Sequence, residues 1–212
     1  MSVTVSAQTD TTVFDGNSYV RLNMSELVST IQTLQNQIDA LEFVCGSSYT
    51  YEGHDYATVL IGGQCWFAEN LRSENYTDGS VIPADLDDAA WSATTAGAVT
   101  VYDEGGSNEG TNLATYGRLY NWYAVDDSRG LCPTEWNLPT HEEFNALTEH
   151  VGGTQVAGGA LKASVNDMPE WNGTNDFGFN AKPTGYRNND DGVFLEQGET
   201  TIFWASTNAG AS

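Results

Sequence analysis

Basic side chains are scarce in this sequence. Seven lysine and arginine residues stand against 29 aspartate and glutamate residues, so the formal net charge is −22. A surface of that charge repels phosphate backbones and anionic lipid headgroups, which argues against nucleic acid as a partner. The same surface favours cations and basic partners.

Long apolar runs are absent as well. No stretch reaches the roughly eighteen apolar residues that a membrane-spanning helix needs, so we expect no membrane insertion. The first residues have neither a basic start nor an apolar core, so we expect no secretory signal. The protein would then stay inside the cell that makes it, or leave by another route such as virion assembly and lysis.

Cysteine and histidine are rare, with three residues of each and no Cys-x-x-Cys pair. This scarcity argues against a zinc site. An odd number of cysteines suggests one disulfide plus one free thiol, or three reduced thiols. Cys45 and Cys65 flank a predicted hairpin that a disulfide between them could bridge. Cys132 precedes a proline and has no histidine nearby in the sequence to activate it as a nucleophile.

Length and composition predict one domain with an appendage. A chain of 212 residues with 40% hydrophobic content can bury one core. We expect a β segment over residues 1–22, around the turn Asp15-Gly16, which docks on a partner chain or another protein. A helix follows over residues 23–43, and the main domain covers residues 44–212.

The helix carries an apolar seam with alternating spacings of three and four residues. Such a seam is typical of a short coiled coil, and its isoleucine and leucine positions favour a dimer, with a trimer as the alternative. The competing interpretation is an amphipathic helix packed on the main domain. The seam consists of Met24, Leu27, Ile31, Leu34, Ile38 and Leu41.

An aromatic-rich block over residues 117–144 is free of catalytic and metal motifs. Within it, Thr140 and Glu143 have the spacing of a capping box that opens a helix. Phe144 and Leu147 then fall on one face of that helix. The block therefore predicts a packed, irregular core rich in tryptophan and tyrosine.

Several strings, in order along the chain, resemble the signature of one family. They are Y-x-T-V-x-I-G-x-Q-C-W-x-x-E-N-L-R (56–72), Y-G-R-L-Y-N-W (116–122), L-C-P-x-x-W-x-x-P-T-x-x-E-F (131–144), G-Y-R (185–187) and F-W-x-S-T (203–207). Together they are similar to the Fibrobacter succinogenes major paralogous domain, over about residues 43–207.

The resemblance implies an α+β fold of the irregular C-type-lectin-like kind, in an extracellular or surface-associated module of bacteria or their viruses. Here that fold would be preceded by the short coiled-coil helix and the N-terminal β segment. Members of the family usually continue past F-W-x-S-T to an Arg-Cys pair. The resemblance therefore implies a C-terminally truncated domain or a sheet completed differently, with Cys132 left free.

Aromatic residues in loop-like stretches are the candidate ligand-binding groups, because tryptophan and tyrosine rings can stack on sugar faces. These candidates are Trp91, Tyr102, Trp171 and Tyr186. The tryptophans inside the family strings are expected in the core instead. They are Trp66, Trp122, Trp136 and Trp204.

Two loops rich in Asp, Asn and Gly offer the oxygen ligands that calcium prefers. Neither loop has the EF-hand spacing, and plain solvated turns are the competing interpretation. The candidate ligands are Glu170, Asn172, Asn175, Asp176 and Asp190.

The sequence therefore predicts a non-enzymatic, homo-oligomeric adhesion or receptor-binding module. It would belong to a viral fibre or a cell-surface appendage, lie outside the cell or on a virion surface, and recognise a cell-surface glycan or protein. The alternative is a structural decoration or filament subunit whose loops contact neighbouring copies. No catalytic residue is predicted, because no pair of carboxylates stands out among so many.

Overall fold

The computed structural model of the protein describes residues 11–14, 19–22, 24–39 and 43–207, and describes side chains for 24–34 and 43–207. The chain divides into two compact units. The first unit ends at Val44, and the second begins at Cys45.

The first unit contains a strand pair and a helix. Strands β1 (Thr11–Phe14) and β2 (Tyr19–Leu22) pair antiparallel, with Thr11 opposite Leu22, which confirms the strands predicted on either side of Asp15-Gly16. Helix α1 (Met24–Asp39) confirms the predicted helix. Ile38 lies within it, whereas Leu41 and residues 1–10 of the predicted β segment lie outside the described residues.

The described apolar side chains of α1 are open to solvent within this chain. The seam residues Met24, Leu27, Ile31 and Leu34 are 40–57% exposed, and Val28 beside them is also exposed. Glu26 and Asp39 are the charged residues of this helix, and most of the remaining positions are Ser, Thr, Gln and Asn. From Met24 to Leu34 the helix therefore has a continuous apolar stripe bordered by neutral polar side chains.

The second unit mixes short helices with small antiparallel sheets, which confirms the α+β class. Its strands are β3 (Tyr49–Tyr51), β4 (His54–Tyr56), β5 (Thr58–Ile61), β6 (Gln64–Phe67), β7 (Val99–Thr100), β8 (Leu119–Tyr120), β9 (Tyr186–Arg187) and β10 (Phe194–Leu195). Its helices are α2 (Asp88–Ala93), α3 (Glu109–Tyr116), α4 (Trp122–Val125), α5 (His141–His150) and α6 (Thr154–Leu161).

Each strand of this unit pairs with one other, in the order β3-β4, β5-β6, β7-β8 and β9-β10. The first two pairs are hairpins, and Cys45 and Cys65 form a disulfide across this stretch. The disulfide resolves the cysteine alternatives, with Cys132 as a free, partly buried thiol.

Two clusters of buried side chains form the core. One packs Trp66 against α5 and α6, and the other packs Tyr76 and Ile82 against α4. The predicted capping box is present, because Thr140 accepts a hydrogen bond from the Glu143 backbone and Glu143 bonds back to the Thr140 backbone. This cap fixes the start of α5, whose buried face enters the first cluster.

A buried arginine connects distant segments of the second unit. The Arg187 side chain, 3% exposed, pairs with Glu104 and Asp88 at 3.8 and 3.2 Å. It also donates to the carbonyl oxygens of Leu86 and Gly192, both at 2.7 Å. Strand β9 is therefore held by charge-assisted bonds as well as by its short ladder.

The sequence predicted Trp91 in an exposed loop, but the structure places it elsewhere. It lies in α2 with 4% of its surface exposed, and the Arg187 guanidinium stacks 4.6 Å above its ring. The predicted exposed placement is therefore wrong, and the cation–π contact covers one face of the ring. The core prediction also fails at Trp204, which is 38% exposed and donates to the Tyr120 carbonyl.

Among the helices that the structure describes, none has both the length and the apolar character that crossing a bilayer requires.

Candidate functional site

A polar groove of about 440 Å³ opens beside helix α3. Three residues of α3 form one wall, namely Gly110, Leu113 and Ala114. The remaining lining residues are polar and come from three other segments. They are Glu52, Arg72, Glu74, Asn75 and Arg118. We call it the Arg72–Arg118 groove. Its volume falls in the range of about 300–1,000 Å³ that is usual for small-molecule sites.

Two of the family strings meet under this groove. The Asn70 side-chain amide donates to the Tyr116 carbonyl at 2.9 Å, and the Arg118 backbone donates to the Leu71 carbonyl at 3.0 Å. Gly117 lies between them with φ of +73°, and a Cβ there would fall 2.9 Å from Asn70 Cβ. Only glycine allows this close approach with that backbone conformation. The two arginines that follow Asn70 and Gly117 are thereby brought to one place.

Arg72 is anchored from several sides. Its Nη2 donates to Glu69 Oε2 at 2.8 Å and to the Ala114 carbonyl at 3.0 Å. Its backbone N–H donates to the Tyr56 hydroxyl at 2.9 Å. His54 Nε2 lies 2.9 Å from the same Glu69 oxygen. The guanidinium is therefore fixed between β4 and α3.

Arg118 forms the floor of the groove, and its partner Glu74 stands at the rim. The Arg118 side chain is 9% exposed and that of Glu74 is 63% exposed. Arg118 bonds to Glu74 through Nη2, and its Nε donates to the Arg72 carbonyl at 3.1 Å. Because one partner is buried and the other is exposed, Glu74 can leave the pair more easily than Arg118 can.

Glu52 is the lining residue contributed by the β3–β4 hairpin. Its Oε2 accepts from the Ser73 hydroxyl at 2.7 Å and from the Glu74 backbone at 3.2 Å. The Tyr120 hydroxyl donates to the Ser73 carbonyl at 2.8 Å, and burial raises the pKa of Tyr120 well above its usual value. Ser73 is fully buried, so its hydroxyl positions Glu52 and is not accessible as a nucleophile.

All the lining residues of the groove except Glu52 lie within the part of the chain that a family model matches. The family is described as the Fibrobacter succinogenes major domain, and its model matches residues 59–212. The chain belongs to this family. A search of curated proteins finds no match, and a search of solved structures finds none either. Arg72 and Arg118 both fall within the range of the Fibrobacter succinogenes major domain, whereas Glu52 precedes it.

The remaining predicted aromatic residues do not line the Arg72–Arg118 groove. Tyr102 is partly buried and packs on Phe194, with ring centroids 5.0 Å apart. Trp171 is partly buried and stacks with the Lys162 ammonium at 4.6 Å. Tyr186 is partly buried in β9. The structure does not bring these three side chains together at a common contact, so their role in ligand binding stays a prediction.

Three of the five residues predicted to bind calcium accept hydrogen bonds through their side-chain oxygens. Asn172 accepts from the Lys162 ammonium at 3.1 Å, Asn175 accepts from the Asn180 backbone at 3.0 Å, and Asp176 accepts from Thr174 at 2.7 Å. Glu170 and Asp190 are exposed. Within the described residues, no group of three or more His, Cys, Asp or Glu side chains is arranged to hold a metal ion. Calcium binding stays a prediction.

Cys132 should react slowly in the folded protein. Burial raises the pKa of its thiol from 9.0 to about 11, and the thiolate is the reactive form. A shift of that size makes the thiolate about a hundredfold rarer at mildly alkaline pH, so alkylation by iodoacetamide should slow by about that factor. Mass spectrometry of samples with and without concentrated urea measures both rates. Equal rates in the two samples would contradict the buried, protonated state.

Sequence reasoning did not single out the groove, although a signal for it was present. Arg72 ends the first family string, and Arg118 stands near the start of the second. These are two of only seven basic residues in the chain, and they occupy family strings whose aromatic and glycine residues build the core. A charged residue inside such a string is a candidate for a site.

Proposed function

We propose that this protein is a non-enzymatic recognition module, displayed in several copies on a viral fibre or a cell-surface appendage. Helix α1 would join the copies as a short coiled coil. The second unit, a domain of the C-type-lectin-like kind, would contact a glycan or a protein on another surface. Weak single contacts then add up, since linking copies raises the effective concentration of each site.

The observation that carries the proposal is the exposed apolar stripe of α1. Met24, Leu27, Ile31 and Leu34 keep the 3-4-3 spacing of a coiled-coil seam, and each is at least 40% exposed. A second copy of the same helix is the occupant that fits, because the seam is self-complementary and few charges oppose it. A helix of this length is marginal alone in water, and burying the stripe would stabilise it.

The disulfide supports a location outside the reducing cytosol. Cys45 and Cys65 are bridged, and such bridges persist in oxidising surroundings such as the cell exterior or a virion surface. The acidic surface supports solubility at high local protein density.

In solution we expect the wild-type mass to be two or three times the 22.9 kDa of one chain. The double variant Leu27→Asp/Ile31→Asp should be monomeric, because two charges per copy would have to be buried in the seam. The matched control is Ser29→Asp, which adds one charge on the opposite side of the helix and should keep the wild-type mass. Light scattering after size-exclusion chromatography measures all three.

A monomeric wild-type chain would remove the proposed display in several copies. A multimeric L27D/I31D variant would show instead that the copies associate through another surface.

The alternative is a structural decoration or filament subunit. The exposed side chains of Ile202, Phe203 and Trp204 favour it, because such a strip suits a contact between neighbouring copies. A glycan array, run with and without calcium, separates the two functions. Binding supports recognition, and an array without signal together with concentration-dependent polymers supports the structural role.

A further inference from the structure

We propose that the Arg72–Arg118 groove binds a neutral, hydroxyl-rich ligand of the saccharide class. The inference rests on the proposed recognition role and names its ligand class and its location. It depends on the charge balance of the groove and on the hydrogen-bonding groups left open in it.

The charges that line the groove cancel. Arg72 and Arg118 supply two positive charges, and Glu52 and Glu74 supply two negative ones. Neither an anion nor a cation therefore gains a net attraction from the lining itself. The net charge of −22 on the whole chain further disfavours an anionic ligand. A neutral ligand avoids that penalty, and a cationic ligand would have to compete with Arg118 for Glu74.

The groove still offers strong donors and acceptors side by side. The described bonds of Arg118 use Nε and Nη2, which leaves the Nη1 N–H groups for an acceptor. The described bonds of Glu52 use Oε2, which leaves Oε1 for a donor. A hydroxyl both donates and accepts, so neighbouring hydroxyls on one ring can bond a guanidinium and a carboxylate together.

The binding groups are also held in place. Arg72 is fixed by Glu69 and by the Ala114 carbonyl, and Arg118 by the Arg72 carbonyl. Groups that are already oriented lose little freedom on binding. Leu113 and Ala114 add a small apolar wall on which the C–H face of a sugar ring can rest. The walls contain no aromatic ring among the described lining residues, so a flat apolar ligand gains little there.

The test uses the full chain and saturation-transfer difference NMR with the methyl glycosides of glucose, galactose, mannose and N-acetylglucosamine. We expect a signal from at least one of them. Ala114→Trp should reduce that signal roughly tenfold, because the indole fills the groove. Asn108→Trp is the control, since it puts the same ring at the exposed N-cap of α3, outside the groove lining and without loss of a capping bond, and should keep the wild-type signal. Glu52→Gln should weaken the signal severalfold without adding bulk, because it removes the charge from the acceptor proposed to bind the ligand.

Equal signals from the wild type and A114W would overturn the assignment to this groove and leave the recognition role standing. No signal from any neutral glycoside, or a stronger one from glucuronate or glucosamine, would overturn the ligand class. Each glycoside binds one copy at a time, so these outcomes do not depend on the oligomer. A monomeric wild type would therefore contradict the proposed display in several copies and would leave the proposed ligand site in the groove unaffected.

Discussion

Replacing Arg187 with methionine should lower the free energy of unfolding by about 3–5 kcal/mol, the usual cost of removing one partner from a buried ion pair. The substitution leaves the Glu104 side chain, 9% exposed, without its cation. It also strips the Leu86 and Gly192 carbonyls of a charged donor. Urea denaturation followed by tryptophan fluorescence measures the loss.

Two further variants separate the cost of leaving the Glu104 carboxylate unpaired from the cost of lost packing. Arg187→Met/Glu104→Gln should recover part of the stability, because no buried carboxylate remains unpaired. Arg129→Met is the control for losing an arginine, since Arg129 pairs with Asp127 at the surface and should matter far less. A loss below about 1 kcal/mol for R187M, or no recovery in the double variant, would contradict the role given to Arg187.

The R187M deficit should also depend on pH. Burial raises the pKa of Glu104, and Arg187 opposes that rise. A carboxyl with a raised pKa binds its proton more tightly in the folded state, so its contribution is favourable at low pH and lost as the pH rises through the folded pKa. Without Arg187 the pKa rises further. The deficit relative to the wild type should therefore shrink as the pH falls from neutral towards the acidic range.

Removing the Cys45–Cys65 disulfide should lower the free energy of unfolding by about 3 kcal/mol, as expected for a closed loop of this length. The two cysteines are 20 residues apart, and the bridge restricts the unfolded chain more than the folded one. Cys45→Ser/Cys65→Ser and the chemically reduced wild type should unfold at the same urea concentration, below that of the oxidised protein.

Thiol counting supplies the control. In urea, the oxidised chain should present one reactive thiol, Cys132, and the reduced chain three. Cys132→Ser should retain the oxidised stability to within about 1 kcal/mol and still respond to reducing agent. Three thiols in the untreated protein would show that the bridge does not form.

Structure could be predicted from the sequence wherever the residues that determine it are neighbours in the chain. The Thr140–Glu143 capping box is four residues of sequence and one set of hydrogen bonds, so it was predictable. Helix α1 was predictable from its 3-4 spacing alone. The burial of Trp91 was not predictable in this way, because it depends on Arg187, which lies 96 positions later in the chain.

The groove could not be predicted from the sequence for the same reason, because its residues are far apart in the chain. Glu52, Arg72 and Arg118 come from three segments, and nothing in their separate neighbourhoods says that they meet. Their meeting depends on the Asn70–Tyr116 bond and on the absence of a side chain at Gly117. Composition and spacing pointed instead to loop aromatics and to loop oxygens, since those residue types are visible without knowing long-range contacts.

The disulfide also has a mechanical consequence. If copies are tethered through α1, a pull on the bound surface enters the second unit at Cys45, its first residue. Strand pairs as short as those of β3 to β6 would peel apart one bond at a time under such a load. Because Cys45 is covalently tied to Cys65, which is 20 positions later in the chain, the segment between them, about 70 Å when extended, cannot lengthen the tether. The force passes directly to Trp66 and the core, so the module should hold its shape under shear until the bridge is reduced.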